Sequence, residues 1–153
     1  MLDFSIYERF KTFENKTILA IDFGTKVIGT AFFRPGRDPF PCMGQKIIFR
    51  SHSEALESLK LMIIDENVEV LVLGIPYFLD GKTSETTKLI KNFGQLLKTN
   101  FPDLEFFEQD ETLSTEAAKE RMQNSPQFNF KIDFTKIDCM AATIILEDFI
   151  RSE

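Results

Sequence analysis

Hydrophobic and polar positions change period several times along the chain, and each change marks an element. Ile6, Phe10 and Phe13 recur at helical spacing with charged residues between them, which predicts a short helix within residues 1–16. From Thr17 the pattern becomes a continuous apolar run, TILAIDFG, of the kind that fills a buried strand and stops at Gly24. VIGTAFF at 27–33 follows after a few residues and predicts a hairpin with the first strand. RPGRDPFPCMG reads as a loop from its Pro and Gly content, and QKIIFR supplies a third short strand.

Helical spacing returns at Leu56, Leu59, Met62 and Ile63, with Ser53 placed to cap the helix. VEVLVLGIP is a buried strand ended by Gly74 and Pro76. The loop YFLDGKTSE leads into a helix with Leu89, Ile90, Phe93, Leu96 and Leu97 on its inner face, closed by Pro102. LEFFEQ is the last strand, and Ser114 is placed to cap the helix TEAAKERM. Asp138 opens CMAATIILEDFI, where Ala141, Ile145 and Phe149 form an i, i+4, i+8 stripe. Strands joined through helices are normally parallel, so this order predicts an α/β fold: a mixed sheet, three early strands antiparallel and the later ones parallel, flanked by helices. Residues 1–16 read as an N-terminal extension and residues 17–153 as a single domain.

With 153 residues, 43% of them hydrophobic, the chain has material for one core but not for two large lobes. The longest apolar run, Leu71 to Leu79, is broken by Gly74 and Pro76 and falls far short of the roughly 20 residues that span a bilayer. No membrane segment is expected, and MLDFSIYERF lacks the basic start of a secretory signal, so a cytoplasmic location is expected. Two isolated cysteines, Cys42 and Cys139, exclude a disulfide framework or a Cys-rich zinc site. A single histidine, His52, excludes chemistry built on several imidazoles and reads as a loop or helix-start residue. Carboxylates, lysines and hydroxyls remain as the main reactive groups. The net charge of −6 argues against a strongly basic nucleic-acid binder, although bound cations would reverse the local sign at an acidic metal site.

Acids at three places stand out. Asp22 ends the first buried strand, where an unpaired carboxylate is costly unless it meets a metal or hydrogen-bond donors. Gly24 and Thr25 directly after it form a tight turn whose amides can approach a phosphate, and Lys26 offers a point charge; alternatively Asp22 only caps that turn. Asp110 and Glu111 end the strand LEFFEQ, and since neighbours on a strand face opposite ways only one points to a site. Glu111 is preferred, with Asp110 kept as a second metal candidate or, alternatively, a turn-orienting residue. Asp138 lies at the start of the last helix, and the small Ala141 and Ala142 let that helix approach the sheet near Asp22. Oxygen ligands without His or Cys suit Mg²⁺ or Mn²⁺, as one ion or as two about 4 Å apart.

These residues, in this order, resemble the YqgF/RuvX family, RNase H-like proteins described as Holliday junction resolvases or pre-16S ribosomal RNA nucleases. The segments carrying the resemblance are LAIDFGTKVIG at 19–29, VLGIPYFLDGKTSE at 72–85, EQDETLST at 108–115 and IDCMAATIILEDF at 137–149. The resemblance implies an RNase H-like fold and a metal-dependent nuclease whose catalytic carboxylates are Asp22, Glu111 and Asp138. It also implies that Gly74, Pro76, Asp80 and Gly81 belong to a motif bordering the substrate cleft. Its substrate would be nucleic acid, with ribosomal RNA precursor favoured over branched DNA, and its state monomer or homodimer. Three features depart from the family pattern: Thr112 stands where an arginine is usual, SPQFNFKIDFTK lacks the expected glycines, and residues 1–16 precede the usual start. Two rivals remain on the residues alone. DFGT also resembles the phosphate-binding turn of actin-like and sugar kinase ATPases, which need two lobes, and the acidic balance with Thr112 suits a non-catalytic RNase H-like module.

Overall fold

The run Thr17–Asp22 (β1) is apolar on both faces because both faces are covered. The computed structural model describes residues 3–77 and 85–152. β1 pairs antiparallel with Val27–Phe33 (β2) and parallel with Val68–Ile75 (β5), which pairs parallel with Glu105–Asp110 (β6). The chain returning along the far edge of β2 forms two antiparallel pieces, Cys42–Met43 (β3) and Ile47–Ile48 (β4), giving the order β3-β2-β1-β5-β6 with β4 also on β2. The third strand is thus split, and its first piece lies in the stretch read as loop.

The period of two in each strand sorts the core into two layers. Leu19, Ile21, Ile28, Leu71, Leu73 and Ile75 pack against His52–Glu66 (α2) and Glu85–Asn100 (α3). Ile18, Ala20, Ala31, Phe33, Val70 and Val72 pack against Ile137–Arg151 (α5). On this second face a 3₁₀ turn at Phe4–Ile6 and the short helix Glu8–Thr12 (α1) add the buried Phe4 and Phe13, while Ile6 is exposed. Ser114–Gln123 (α4) packs outside α5 through Ala118 and Met122 against Met140, Ala141 and Ile144.

Helix starts differ from the sequence reading in detail. Ser51 rather than Ser53 caps α2, accepting a hydrogen bond from the Glu54 amide. Ser114 is the first residue of α4 and Leu113, with φ of 70°, is its cap residue. Within α5, Ala141 faces α4 while Ala142, Ile145 and Phe149 face the sheet, so the stripe read from the sequence divides between two neighbours. Both thiols are free, and among the described residues no helix is long and apolar enough to cross a membrane.

Candidate active site

All three parallel strands end at the same sheet edge, and the last residue of β1 and the residue after β6 carry acids there. Asp22 shares its face with Ile18 and Ala20, the face covered by α5. Glu111 shares that face with Phe107, two repeats before it, and its amide donates to the Ile75 carbonyl, continuing the β6–β5 pairing by one bond. Asp110 belongs to the opposite phase. It is exposed, and its carboxylate accepts hydrogen bonds from the Thr112 amide and hydroxyl at 2.9 and 2.7 Å. The Thr112 hydroxyl also lies 2.7 Å from the Tyr77 carbonyl oxygen, so this side chain ties the β6 exit to the β5 exit. The structure therefore brings Glu111, and not Asp110, to Asp22.

Two glycines make the close approaches possible. Gly74 is buried inside β5 rather than in a loop, and a Cβ there would stand 2.6 Å from Ile145 Cδ1 and 3.0 Å from Glu111 Oε2. Its bare face is the floor on which the Glu111 carboxylate rests. Gly29 lies opposite Asp22 in the β1–β2 register, and a Cβ there would stand 2.0 Å from the Asp138 carbonyl oxygen. The first turn of α5 thus sits directly on β2, with Asp138 beside the strand that carries Asp22. Of the two alanines expected to allow this approach, Ala142 faces the sheet and Ala141 faces α4, and Gly29 makes the closest contact. A glycine in the middle of an apolar strand is the signal that would have found it.

Asp22 retains partial solvent access but is densely surrounded, and it shares a hydrogen bond with Glu111. Burial, then the Glu111 charge and that hydrogen bond, then the Asp138 charge, push the Asp22 carboxyl well above its ordinary 3.8. Glu111 is raised by burial and by Asp110, with the hydrogen bond from Asp22 opposing. Asp138 is also raised by burial, with its own backbone amide and the Lys46 charge opposing. Without a cation, burial and mutual repulsion disfavour ionising both the Asp22 and Glu111 carboxyls together. Asp110 shows the opposite balance: burial alone would raise it, but the Thr112 and Tyr77 hydrogen bonds outweigh that and hold it below 3.8.

This donor set fits a hard divalent cation: only carboxylate oxygens, two of them paired at a cost that a positive charge would relieve. Among the described residues no three His, Cys, Asp or Glu side chains are gathered closely enough to hold a metal ion together. The paired Asp22 and Glu111 would hold the ion from the sheet, with Asp138 nearby at the helix start, leaving the remaining positions to water and substrate oxygens, a mode typical of Mg²⁺.

The remaining candidates are placed as follows. Gly24 forms a tight turn, since a Cβ there would meet the Val27 carbonyl oxygen at 2.4 Å. Thr25 and Lys26 are exposed on that turn, next to Asp22. Pro76 follows β5 and its carbonyl faces the Thr87 hydroxyl at 3.4 Å. Asp80 and Gly81 lie outside the described residues. His52 stacks with Phe23 and Phe93 at the start of α2, on the sheet face away from the acids.

Comparison with known proteins follows this layout. The family model RuvX, described as Holliday junction resolvase, matches residues 16–152. The chain belongs to the RuvX family. A Maridesulfovibrio salexigens protein named "Putative pre-16S rRNA nuclease" is 35% identical over 134 residues, covering 87% of this chain and 96% of the relative. A Malacoplasma penetrans protein of the same name is 35% identical over 145 residues, covering 91% and 96%. The RuvC of T. thermophilus, solved in complex with a Holliday junction substrate, superposes with a TM-score of 0.54 at 8% identity, covering 85% of this chain and 91% of RuvC. That likeness concerns the fold, which in this RuvX protein is RNase H-like.

Two predictions follow from the acid geometry. In the unfolded chain Asp22 ionises near 3.8, whereas folded it keeps its proton to higher pH. The folded state then binds more protons than the unfolded one, so stability falls as pH rises from about 4 through the folded pKa of Asp22. Melting in EDTA between pH 5 and 8 should show this fall in the wild type and a flatter profile in Asp22→Asn. Mn²⁺ at a hundredfold excess over Kd should stabilise the wild type by about 2.7 kcal/mol, roughly 5–10 °C for a chain of this size, and the variant by much less. A pH-independent melting temperature in wild type would contradict the raised Asp22 carboxyl.

The second separates the adjacent acids. Asp110→Ala should cost about 1 kcal/mol through its lost turn hydrogen bonds and leave metal-dependent stabilisation intact. Glu111→Gln should abolish that stabilisation with little change in metal-free melting. The reverse pattern would assign the metal to Asp110.

Proposed function

We propose that this RuvX protein is a divalent-metal-dependent nuclease that hydrolyses phosphodiester bonds in 16S ribosomal RNA precursors, with Asp22, Glu111 and Asp138 as its catalytic acids. The observation that carries this reading is the pairing of the Asp22 and Glu111 carboxylates at the ends of β1 and β6, on either side of β5, with Asp138 held beside them by Gly29. Such a pairing is destabilising by itself and becomes favourable when a cation is bound. Mg²⁺ or Mn²⁺ bound there supplies positive charge that activates the attacking water and stabilises the leaving oxygen.

The residues around it divide the remaining work. Asp22 and Glu111 anchor the ion from a sheet that cannot yield, because Gly74 and Gly29 are packed on backbone and buried side chains. Asp138, half-buried at the helix start, faces the open side where a scissile phosphate would enter. The Gly24–Thr25–Lys26 turn contacts the backbone of the bound strand, Lys26 as a point charge. Gly74 acts by seating Glu111. The full-length similarity of the named relatives favours ribosomal RNA over branched DNA, and a cytoplasmic location with it. Junction resolution would require two sites in a symmetric pair of chains, whereas RNA trimming needs one.

The experiment is cleavage of an end-labelled 16S precursor fragment and of a four-way DNA junction, each with Mg²⁺, with Mn²⁺ and with EDTA. Cleavage of the RNA that requires metal, with the junction left whole, is the expected result. Paired symmetric nicks in the junction with the RNA intact would replace ribosomal RNA by branched DNA as substrate. Metal-independent products, or none from either substrate, would remove the nuclease assignment.

A further inference from the structure

The chain returning along β2 does not keep one register. Met43 lies opposite Ala31 and Ile47 opposite Ile28, so three residues, 44–46, face the two residues Gly29 and Thr30. This is a β-bulge, a device that re-aims a side chain and concentrates near active sites. It is firmly held. The Gly44 amide donates to the Thr30 carbonyl at 2.8 Å, and the Thr30 hydroxyl donates to the Gln45 carbonyl at 2.5 Å. Gly44 is required, because a Cβ would meet Thr30 Oγ1 at 2.5 Å and the Phe32 ring at 2.8 Å. Thr30 is wholly buried.

The residue that the bulge re-aims is Lys46. Ile47, next to it, packs with Ile28 in the layer under α2 and α3. Alternation along the strand turns Lys46 to the other face, where the α5 backbone at Asp138 lies on Gly29. Gly29 is itself opposite Asp22. Asp22, Gly29 and the bulge therefore form one row across three strands, with an acid at one end and a lysine at the other. Lys46 is exposed and forms no ion pair among the described residues. Its charge nevertheless reaches Asp138, Cys139 and Asp133, favouring the ionised form of each. It is close to Asp138 without being neutralised by it. A chain of net charge −6 that handles a polyanion needs cations of this kind beside its acids.

We propose that Lys46 is a phosphate-positioning residue, contacting a backbone phosphate of the nucleic-acid strand as that strand crosses the Asp138 side of the site. This rests on the nuclease reading. Lys46 touches neither the cation nor the scissile bond; it fixes where the strand lies.

The test uses the full chain as wild type, Lys46→Met, Lys46→Arg and, as a control that removes the same charge from the far side of the molecule, Lys60→Met on α2. Binding of a fluorescent single-stranded RNA is followed by anisotropy across a KCl series, and cleavage of the same RNA is measured with Mn²⁺. Lys46→Met should weaken binding about three- to tenfold at low salt and reduce the slope of log K against log salt by about 0.7, one phosphate contact on a single strand. Its KM should rise more than its kcat falls, Lys46→Arg should restore both slope and KM, and Lys60→Met should match wild type. An unchanged slope and KM in Lys46→Met, in a preparation whose wild type cleaves, would overturn the role of Lys46 alone. A fall of the same size in Lys60→Met would reduce the effect to net charge and also overturn it. Wild type that neither binds nor cleaves RNA would overturn the nuclease reading and this one together.

Discussion

Gly29→Ala is expected to unseat the start of α5, lowering the melting temperature by about 6–12 °C and cleavage by at least about a hundredfold. The added Cβ would stand 2.0 Å from the Asp138 carbonyl oxygen, 2.2 Å from its carbon and 2.8 Å from the Cys139 nitrogen. All three are backbone atoms, so no flexible side chain can swing aside. On one side, β2 is bonded to β1 through Asp22 opposite Gly29 and cannot retreat. On the other, α5 is buried along nearly its whole length. Overpacking in a core costs about 1–3 kcal/mol, and this contact sits at the upper end because two rigid elements must part. At 3 kcal/mol a domain of this size loses roughly 6–12 °C. The same displacement moves Asp138 away from Asp22, and a misplacement of about 1 Å can cost about a hundredfold in rate. Thermal melting and a single-turnover cleavage assay check both parts. Wild-type melting with wild-type cleavage would mean that the helix does not depend on this contact.

Gly29 also shows how far the chain could be read without coordinates. The strand VIGTAFF was plain from its apolar run, and its place in a hairpin from the short connection. The glycine inside it was passed over, although an interior strand glycine marks the close approach of another backbone. The alanines of α5 carried a more familiar signal and took the credit. Gly74 was treated the same way: beside Pro76 it reads as a strand breaker, yet it is buried within β5 and seats Glu111.

The choice between Asp110 and Glu111 was hidden for a definite reason. Alternation assigns faces only where apolar and polar residues alternate, and β6 carries Phe106 and Phe107 side by side, one packed into each layer. Pairing with β5 decides the phase, and pairing is a long-range property that local pattern does not contain. Thr112 then has a role of its own. Its amide donates to Asp110 and its hydroxyl lies between Asp110 and the Tyr77 carbonyl, so the residue that departs from the family pattern braces the strand end.

The edge of the sheet was the least legible part. Cys42 and Met43 lie in a stretch whose Pro and Gly content announces a loop, and two-residue strands leave no period to detect. The bulge that presents Lys46 is defined only by the mismatch between two registers on β2. By contrast, the long helices are legible nearly to their ends, because fifteen or so residues of consistent period outweigh local ambiguity, and β5 is legible from its apolar run.

Asp22→Asn is expected to have effects of opposite sign on activity and on metal-free stability. Asparagine keeps the shape of the side chain and removes a carboxyl whose ionised form the fold disfavours, through burial first and then the charges of Glu111 and Asp138. At pH 7 in EDTA the variant should therefore melt at or above the wild-type temperature. Cleavage should fall on the order of a thousandfold or more, beyond the roughly 10²–10³ that the loss of one preorganised donor costs elsewhere, because the cation loses its sheet-side anchor. Few other substitutions here combine gain and loss in this way: a residue that merely supports the fold loses both together. The decisive measurement is the single-turnover cleavage rate of a 16S precursor fragment by wild type and Asp22→Asn with Mn²⁺, alongside their melting curves in EDTA. Loss of cleavage with unchanged or raised melting temperature is the predicted result; equal cleavage by the two proteins would contradict it.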